Sequence, residues 1–438
     1  MWLRDRVPTV EFFQGLPVTR MFKSVALCVV FGFSGILFAG DWPGFRGPAG
    51  NGIVSDVRIP DKLALAPMWR IPIGEGFGQF VVEGDRAVVF TKRGDDEFAV
   101  CFDVKTGKEI WATRVDRTTR EKNYQGPRTT PAISGDRVYI YSTYVVLTCL
   151  DLASGKEVWR KNIAREYGGK VIVYCNAASP IIVDDLVVVT GGGPGKGILA
   201  FGKTTGQLAW ATCDSKFTHT TPVAATILGT KQVICFMQSG LVSVDARSGR
   251  ILWTVEQRYP NSTAASPVVG GKNGDIVYCS TGYAIGAGAC RISKDGQAWT
   301  ATEIWRTPKK NTNHWSTPVY YDGYIYGLFG QCRPTPENRG PLACVDIETG
   351  QVKWSAKDIG SQGGLILVGD KLLIQSPTGD ILVAAASPAG FKELSRVPAL
   401  KGGRCWNGPV LVTDLLFLRG NSFKEDPAEA ACFKIAGD

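Results

Sequence analysis

Hydrophobic and polar residues alternate along most of the chain, in short runs separated by glycine-containing turns. One such pair of runs carries Val138 and Ile140 before its turn and Val145 and Leu147 after it. A period of two residues is typical of a β-strand that buries one face. The pattern therefore predicts an all-β protein built from many short strands.

Five copies of one short template recur within this pattern, and each copy ends in tryptophan. The copies are FDVKTGKEIW at Trp111, LDLASGKEVW at Trp159, AFGKTTGQLAW at Trp210, VDARSGRILW at Trp253 and VDIETGQVKW at Trp354. Trp69 and Trp305 extend the series, and successive tryptophans lie 42 to 52 residues apart. That spacing predicts a β-propeller with one four-stranded blade per repeat.

Each part of the template has a physical role in such a blade. The Asp-x-x-Thr/Ser-Gly unit predicts a hairpin turn, in which Asp151 accepts hydrogen bonds and Gly155 takes a positive φ. The tryptophan that follows begins the outer strand and can cover the gap between neighbouring sheets. Upstream, repeats open with a small residue and a proline, as in Thr130-Pro131. Such a proline marks the first residue of an innermost strand, because no ladder hydrogen bond is lost there.

The number of blades follows from the opening segments. Eight of them begin near residues 80, 131, 180, 222, 267, 318, 365 and 409. The last repeat ends before any outer strand, whereas PMWRIPI around Trp69 precedes any inner strand. We therefore expect a single eight-bladed β-propeller of four-stranded antiparallel sheets, closed by the N-terminal strand so that no sheet edge stays open. Seven blades are the alternative, because the seventh copy carries FKELSRV where a tryptophan strand should be.

The N-terminal residues have the features of an export signal. Lys23 precedes an apolar stretch from Val25 to Ala39, which suits a signal-peptide core and is shorter than the ~20 residues of a spanning helix. We expect cleavage near Ala39 or Gly40, with an uncleaved anchor, and hence membrane association, as the alternative. The predicted organisation is an upstream extension from a misassigned start (1–20), a signal peptide (21–40), a lead-in segment (41–64) and the propeller (65–438).

Charge and cysteine content add two expectations. The formal net charge is +9, but lysine and arginine are spread along the chain without a run, which gives no basis for nucleic-acid binding. Twelve cysteines in an exported chain raise the question of disulfides. One core position of successive blades carries small residues, namely Cys101, Cys149, Ala200, Ser243, Cys290, Cys344, Ala384 and Cys432. We therefore expect these cysteines to be core residues, and no disulfide can be assigned.

The template and the small-residue-proline strand before it resemble the repeats of the pyrroloquinoline-quinone (PQQ)-like propeller family, over roughly residues 65–435. The stretch DWPGFRGPAGNGI (41–53) is similar to the opening of exported bacterial members of that family. The resemblance implies one of two functions. One group of the family comprises quinoprotein dehydrogenases, which hold PQQ and calcium over the propeller centre. The other is non-enzymatic and includes the propeller subunit of the outer-membrane barrel-assembly machinery, and the fold alone does not choose between them.

Ligands of propellers usually lie at the mouth of the central channel, among the loops that lead into the innermost strands. Three positions before each opening proline, or its equivalent, the chain carries Phe77, Arg128, Ala177, His219, Ala264, Trp315, Gln362 and Trp406. Asn176 and His314 lie one position earlier, so both histidines of the chain lie at or next to this position of the repeat. We predict a pocket for a planar or anionic ligand, formed by Arg128, Asn176, His219, His314, Trp315 and Trp406. The alternative is that these side chains line a water-filled channel and set the blade spacing.

None of these ten residues is a carboxylate, although a calcium-dependent quinoprotein needs acidic oxygens for its metal and a carboxylate base beside the substrate. The sequence also contains no adjacent cysteine pair, as in many alcohol-oxidising relatives, and no Cys-x-x-Cys-His haem motif. We therefore expect an exported, non-catalytic propeller of the periplasm or cell envelope, without a cofactor or metal, that binds a protein partner or small ligand through its faces. The alternatives are a PQQ-dependent alcohol or sugar dehydrogenase with calcium, and a polysaccharide-binding module that uses Trp315 and Trp406.

Overall fold

The computed structural model describes residues 40–119, 125–257, 263–283, 285–308, 312–330, 341–360, 362–401, 404–422 and 427–436. Apart from Gly40, the predictions of an upstream extension and a signal peptide fall outside these residues. The secondary structure of the described part is almost entirely β, with one short helix, α1 (Ile163–Tyr167). No helix within it is long and apolar enough to cross a bilayer.

Eight sheets form the eight blades of a propeller, so the all-β, eight-bladed prediction is confirmed and the seven-bladed alternative is wrong. From the channel outward, the first four blades contain β3 (Val81–Glu83), β4 (Arg86–Arg93), β5 (Asp96–Asp103) and β6 (Glu109–Arg117); β7 (Ala132–Ser134), β8 (Arg137–Tyr141), β9 (Val146–Asp151) and β10 (Glu157–Asn162); β11 (Ile181–Val183), β12 (Leu186–Thr190), β13 (Ile198–Gly202) and β14 (Leu208–Thr212); and β15 (Val223–Ile227), β16 (Thr230–Met237), β17 (Gly240–Asp245) and β18 (Ile251–Glu256).

The other four blades follow the same order. They contain β19 (Val268–Gly270), β20 (Ile276–Thr281), β21 (Gly286–Asp295) and β22 (Ala298–Pro308); β23 (Val319–Tyr321), β24 (Tyr324–Leu328), β25 (Leu342–Asp346) and β26 (Val352–Ala356); β27 (Gly364–Val368), β28 (Lys371–Gln375), β29 (Asp380–Ala385) and β30 (Glu393–Pro398); and β31 (Val410–Val412), β32 (Leu415–Gly420), β33 (Glu429–Ala436) and β2 (Ala64–Pro72). A two-residue strand, β1 (Ile53–Val54), adds to the seventh blade.

The ring is closed by a strand from the N-terminal side of the propeller. β2 pairs antiparallel with β33 along the whole of both strands, so the last blade takes its outer strand from the start of the chain. Trp69 in β2 then donates its indole N–H to the carbonyl of Val104 in blade 1, at 2.9 Å. The predicted closure is confirmed, and it removes the open edge that an unpaired β33 would present.

The tryptophan of the template joins six of the eight blades to the next one. Trp111 of blade 1 donates its indole N–H to the carbonyl of Leu152 in blade 2, at 2.9 Å. Its ring covers Gly155 of the same turn, where an added Cβ would lie 2.6 Å from the ring. Gly155 has a φ of 69°, so glycine suits this turn both in conformation and in space. Equivalent indole-to-carbonyl bonds join Trp69 to Val104, Trp159 to Lys203, Trp210 to Ala246, Trp305 to Ile347 and Trp354 to Ser387.

Trp253 is the exception, and the sequence of the next blade explains it. Blade 5 has no Asp-x-x-Thr/Ser-Gly turn, because its long strands β21 and β22 continue to a hairpin between Asp295 and Ala298. Without a turn to receive its indole, Trp253 donates to Oε1 of Gln232 in its own blade, at 2.8 Å. The contact between blades therefore depends on the turn of the next repeat as much as on the tryptophan.

The small residues before the opening prolines also join neighbouring blades. Their hydroxyls accept the backbone N–H at the equivalent position of the preceding blade, at 2.9 to 3.0 Å. These bonds run from Gln79 to Thr130, from Thr130 to Ser179, from Ser179 to Thr221 and from Ser266 to Thr317. A buried amide and a buried hydroxyl satisfy each other in this way. The Thr/Ser-Pro pairs thus position the loops that surround the channel mouth.

Four of the five cysteines at the shared core position lie opposite outer-strand tryptophans, whereas Cys290 lies opposite Glu303. Cys101 is the cross-strand partner of Trp111 and Cys149 that of Trp159, and both cysteines are fully buried. Burial raises the pKa of both thiols to about 12, so they remain protonated. The predicted role of these cysteines as small core residues is confirmed, and the described cysteines are free thiols.

Candidate functional site

The loops before the innermost strands converge on a cavity of about 500 Å³ at the channel mouth, called the mouth cavity below. Of the predicted site residues, Arg128, His219, His314, Trp315 and Trp406 line it. Its volume lies in the range of ligand-binding pockets. Five of the six side chains predicted from their positions in the repeat therefore line one cavity.

Asn176 is not among the side chains that line the mouth cavity. It is fully buried, and its amide donates to the carbonyls of Ser142 and Ala178, at 3.1 and 3.3 Å. Its Oδ1 accepts the backbone N–H of Ala178 at 3.0 Å. Because the amide of Asn176 is hydrogen-bonded to nearby backbone through both its nitrogen and its oxygen, it stabilises the conformation of the loop before β11.

A row of aromatic rings forms one wall of the mouth cavity. Phe77 stacks on Trp406 with ring centroids 5.1 Å apart, and Trp406 stacks on Trp315 at 4.7 Å. The row continues edge to face, from Trp315 to His314 at 4.5 Å and from His314 to Tyr283 at 4.9 Å. Both geometries are favourable for aromatic pairs. Because Phe77 belongs to the first blade and Trp406 to the last, the wall exists only when the ring is closed.

The lead-in segment crosses the channel and forms the floor of the mouth cavity. Trp42 makes a β-bridge with Val82 on the inner strand of blade 1. Further along, β1 pairs in parallel with β27, the inner strand of blade 7. Between these two attachments, Phe45 and Arg46 line the mouth cavity. The residues predicted as a lead-in thus belong to the site itself.

Arg46 places a buried positive charge in this floor. Its guanidinium donates to the carbonyls of Thr317 and Pro318 in blade 6, at 2.5 and 2.6 Å, and to that of Asn51 at 2.6 Å. None of its described contacts is a carboxylate. Burial lowers its pKa to about 9, so the side chain keeps its charge at neutral pH. These three bonds engage three of the five N–H donors of the arginine.

Both histidines of the mouth cavity are buried and neutral at pH 7. Burial lowers the pKa of His219 to about 4, and the positive charge of Arg128 acts in the same direction. Burial, followed by the proximity of His219, lowers the pKa of His314 to about 4. Nε2 of His219 lies 2.9 Å from the carbonyl oxygen of Val173 and must carry the proton, because a carbonyl only accepts. The histidines therefore provide polar, uncharged surface.

A buried carboxyl group lies near Arg128, outside the set of cavity-lining residues. Glu97 accepts the backbone N–H of Thr143 at 3.1 Å and also the hydroxyl of that residue. Burial raises the pKa of Glu97 to about 8, although these hydrogen bonds and Arg128 act in the opposite direction. Glu97 is therefore mostly protonated at pH 7 and offsets little of the positive charge.

We expect mild acid to destabilise the protein through the two histidines. Their pKa falls from 6.5 to about 4 on folding, so the unfolded chain binds more protons between these values. The stability that they contribute is present above pH 6.5 and is lost as the pH falls toward 4. Melting temperatures measured by circular dichroism should therefore fall more steeply for the wild type than for a His219→Gln/His314→Gln variant. Parallel pH profiles would contradict the burial of neutral histidines.

The donor atoms around the mouth cavity decide whether a calcium-held quinone fits there. Calcium takes roughly six to eight oxygen ligands, with carboxylates prominent among them. Of the described residues that line the cavity, none is Asp or Glu. Within the described ranges there is also no group of three side chains suited to holding a metal ion. The described residues of the mouth cavity do not fit the metal of a calcium-dependent quinoprotein.

Among the cavity-lining residues that sequence reasoning missed, four do not follow the repeat. Phe45 and Arg46 come from the lead-in segment, whereas Tyr174 and Tyr283 come from loops before β11 and between β20 and β21. For the first pair there was a signal, since DWPGFRGPAGNGI combines aromatic residues and an arginine with turn residues outside any blade. For the two tyrosines the sequence offered none.

The eight-bladed ring, closed by β2, and the template that recurs from blade to blade define the chain as a propeller of the PQQ-like repeat class. The family model described as "Outer membrane protein assembly factor BamB" matches residues 95–308 and 238–390, which together span more than half of the chain. The chain belongs to this family. The resemblance noted from the template is thereby confirmed.

Solved structures with this fold include an assembly factor and dehydrogenases. The quinohemoprotein alcohol dehydrogenase from Comamonas testosteroni matches with a TM-score of 0.63 at 13% identity, over 90% of this chain and 80% of that one. BamB from Moraxella catarrhalis matches with a TM-score of 0.58 at 14% identity, over 85% and 98%. The quinohemoprotein alcohol dehydrogenase ADHIIG from Pseudomonas putida HK5 gives 0.59 at 13%, over 91% and 81%. No curated protein sequence matches the chain. At such low identity the similarity shows the fold alone.

Proposed function

We propose that the protein is a non-catalytic propeller of the cell envelope that binds a protein partner or a small ligand through the face of the channel mouth. The observation that carries the proposal is the lining of the mouth cavity. It offers stacked rings for contact and two arginines for charge, Arg46 and Arg128, but no carboxylate that could act as a general base or hold a metal among the described lining residues. The description of the family, an assembly factor, supports binding to other proteins.

A PQQ-dependent alcohol or sugar dehydrogenase is the second candidate, favoured by the fold shared with the Comamonas testosteroni enzyme. Reconstitution separates the two. The purified propeller is incubated with PQQ and Ca²⁺, desalted and examined by absorbance, and dye reduction is then measured with ethanol and with glucose. A soluble quinoprotein alcohol dehydrogenase serves as the positive control. We expect no quinone retained at micromolar PQQ and no dye reduction; stoichiometric quinone absorbance together with dye reduction would overturn the proposal.

Site-specific crosslinking tests the binding role directly. A photo-crosslinking amino acid is placed in the cell-expressed protein at Val173, an exposed position beside the mouth cavity. The matched control carries the same amino acid at Val352, an exposed position on the outer strand of blade 6. We expect a discrete adduct of higher mass from position 173 and none from position 352. Adducts of equal intensity at both positions would indicate non-specific contact and count against the mouth face.

A further inference from the structure

A second cavity continues the mouth cavity outward among the loops of blades 3 and 4. It has a volume of about 600 Å³ and shares three lining residues with the mouth cavity, namely Tyr174, His219 and Tyr283. Lys170 and Lys216 line its other parts. The two cavities therefore lie side by side, and together they are called the groove below; its inner end is the mouth cavity with Arg46, and its outer part lies among the loops of blades 3 and 4.

The loop over residues 168–175 forms the rim of this groove and presents apolar side chains to solvent. Val173 is 73% exposed and Tyr174 is 46% exposed. The carbonyl of Val173 is bonded to His219 at 2.9 Å, and Tyr174 and Cys175 hold left-handed φ values of 64° and 63°. Such values are unfavourable for residues other than glycine and persist where the surroundings fix a loop shape. Apolar side chains held in place at the edge of a groove are typical of an interaction surface.

The groove is positively charged along its length. Arg46 and Arg128 line its inner end, and Lys170 and Lys216 line its outer part. Among the described residues that line either cavity, Asp214 alone is acidic. Arg46 is the strongest of these features, because the described contacts of its guanidinium are all uncharged carbonyls. A buried guanidinium in this situation favours a carboxylate, with which it forms short, charge-assisted hydrogen bonds.

We propose that this groove binds an extended segment of a partner protein and takes one carboxylate of that segment into the mouth cavity, beside Arg46 and Arg128. The proposal rests on the proposed function and names the chemistry of its partner. A small ligand would fill the mouth cavity and leave the outer cavity and Val173 uncovered, whereas an extended segment occupies all three. Its apolar side chains pack on Val173 and Tyr174. The carboxylate comes from the end of the chain or from an Asp or Glu side chain, and the experiment distinguishes these sources.

The test selects peptides and then removes their charges. The intact propeller is used to select from a phage library that displays random decapeptides with free carboxyl termini. The strongest binder is synthesised in three forms: with a free carboxyl terminus, with a terminal amide, and with its acidic side chains changed to Asn or Gln. Affinities are measured by fluorescence polarisation. We expect one of the two charge-removed forms to bind at least about tenfold more weakly, the size expected for loss of a hydrogen bond between charged groups.

Protein variants test whether the same peptide binds in the groove. Arg128→Gln should weaken binding by about tenfold, and Val173→Ser by about three- to tenfold, through loss of charge and of apolar contact. Arg247→Gln is the matched control, because it removes an arginine from an exposed turn of blade 4 that lines neither cavity. Melting temperatures confirm that each variant is folded, and Arg46 is left intact because its bonds to blade 6 support the fold.

Three results would overturn the proposal: no peptide recovered above background, equal binding of the charged and neutral peptides, or equal binding to wild type, Arg128→Gln and Val173→Ser. None of these would affect the proposed function if crosslinking at Val173 still gives a discrete protein adduct. A retained quinone with dye reduction would instead remove the proposed function, and this inference with it.

Discussion

Replacing Trp42 by alanine is expected to lower the free energy of unfolding by about 3–5 kcal/mol, the usual loss when a buried aromatic site is emptied. Trp42 is fully buried, in a core cluster that joins the lead-in segment to blades 1, 7 and 8. Its backbone exchanges two hydrogen bonds with Val82, at 2.8 and 2.9 Å, which hold the segment in the channel. The indole also packs on Gly47, where an added Cβ would lie 3.0 Å away. Urea unfolding followed by circular dichroism measures the change.

Two further variants isolate the cause of this loss. Trp42→Phe keeps most of the ring and breaks no hydrogen bond, since Nε1 of Trp42 has no partner among the described residues, and we expect a loss of about 1–2 kcal/mol. Trp299→Ala removes a tryptophan that is only partly buried and lies under Lys294, for which we expect at most about 1 kcal/mol. Equal losses for Trp42→Ala and Trp299→Ala would show that the lead-in segment is not part of the core.

The blade architecture could be predicted from the sequence because every blade repeats the same contacts. A turn glycine such as Gly155 lies under the tryptophan of the preceding blade, so both residues must recur at fixed intervals along the chain. Closure was predictable for a related reason, since a last repeat without an outer strand must obtain one elsewhere. Trp253 shows the limit of this reasoning: its indole bonds within its own blade because the next repeat lacks the turn.

The candidate site could be predicted only where it follows the repeat. His219 and Trp406 share a phase and line the mouth cavity, as expected. Asn176 and His314 occupy equivalent positions, yet only His314 lines the cavity, because loops of different sequence turn equivalent side chains in different directions. Arg46 has no counterpart in the blades, and its position depends on bonds to blade 6, which no local pattern encodes.

Gly155→Ala is expected to lower the free energy of unfolding by about 2–5 kcal/mol through two separate effects. The φ of Gly155 is 69°, a conformation that costs alanine about 1–2 kcal/mol. An added Cβ would also lie 2.6 Å from Cδ2 of Trp111 and would displace the indole from its hydrogen bond to Leu152. Overpacking of this kind lowers the free energy of unfolding by about 1–3 kcal/mol more. Urea unfolding gives the total.

Gly135→Ala is the matched control, because Gly135 has a similar φ of 60° but no atom within 4 Å of the added Cβ. We expect that variant to lose about 1–2 kcal/mol, from conformation alone. In a Trp111→Ala background, Gly155→Ala should cost less than in the wild type, by a coupling of about 1–3 kcal/mol between Trp111 and Gly155. The contact of the added Cβ with Oγ1 of Thr113, at 2.8 Å, remains in that background and keeps the cost above that of Gly135→Ala. The same tryptophan–glycine contact recurs at four other junctions between blades. A coupling free energy near zero would therefore show that the tryptophan–glycine contacts between blades do not contribute to the stability of the propeller.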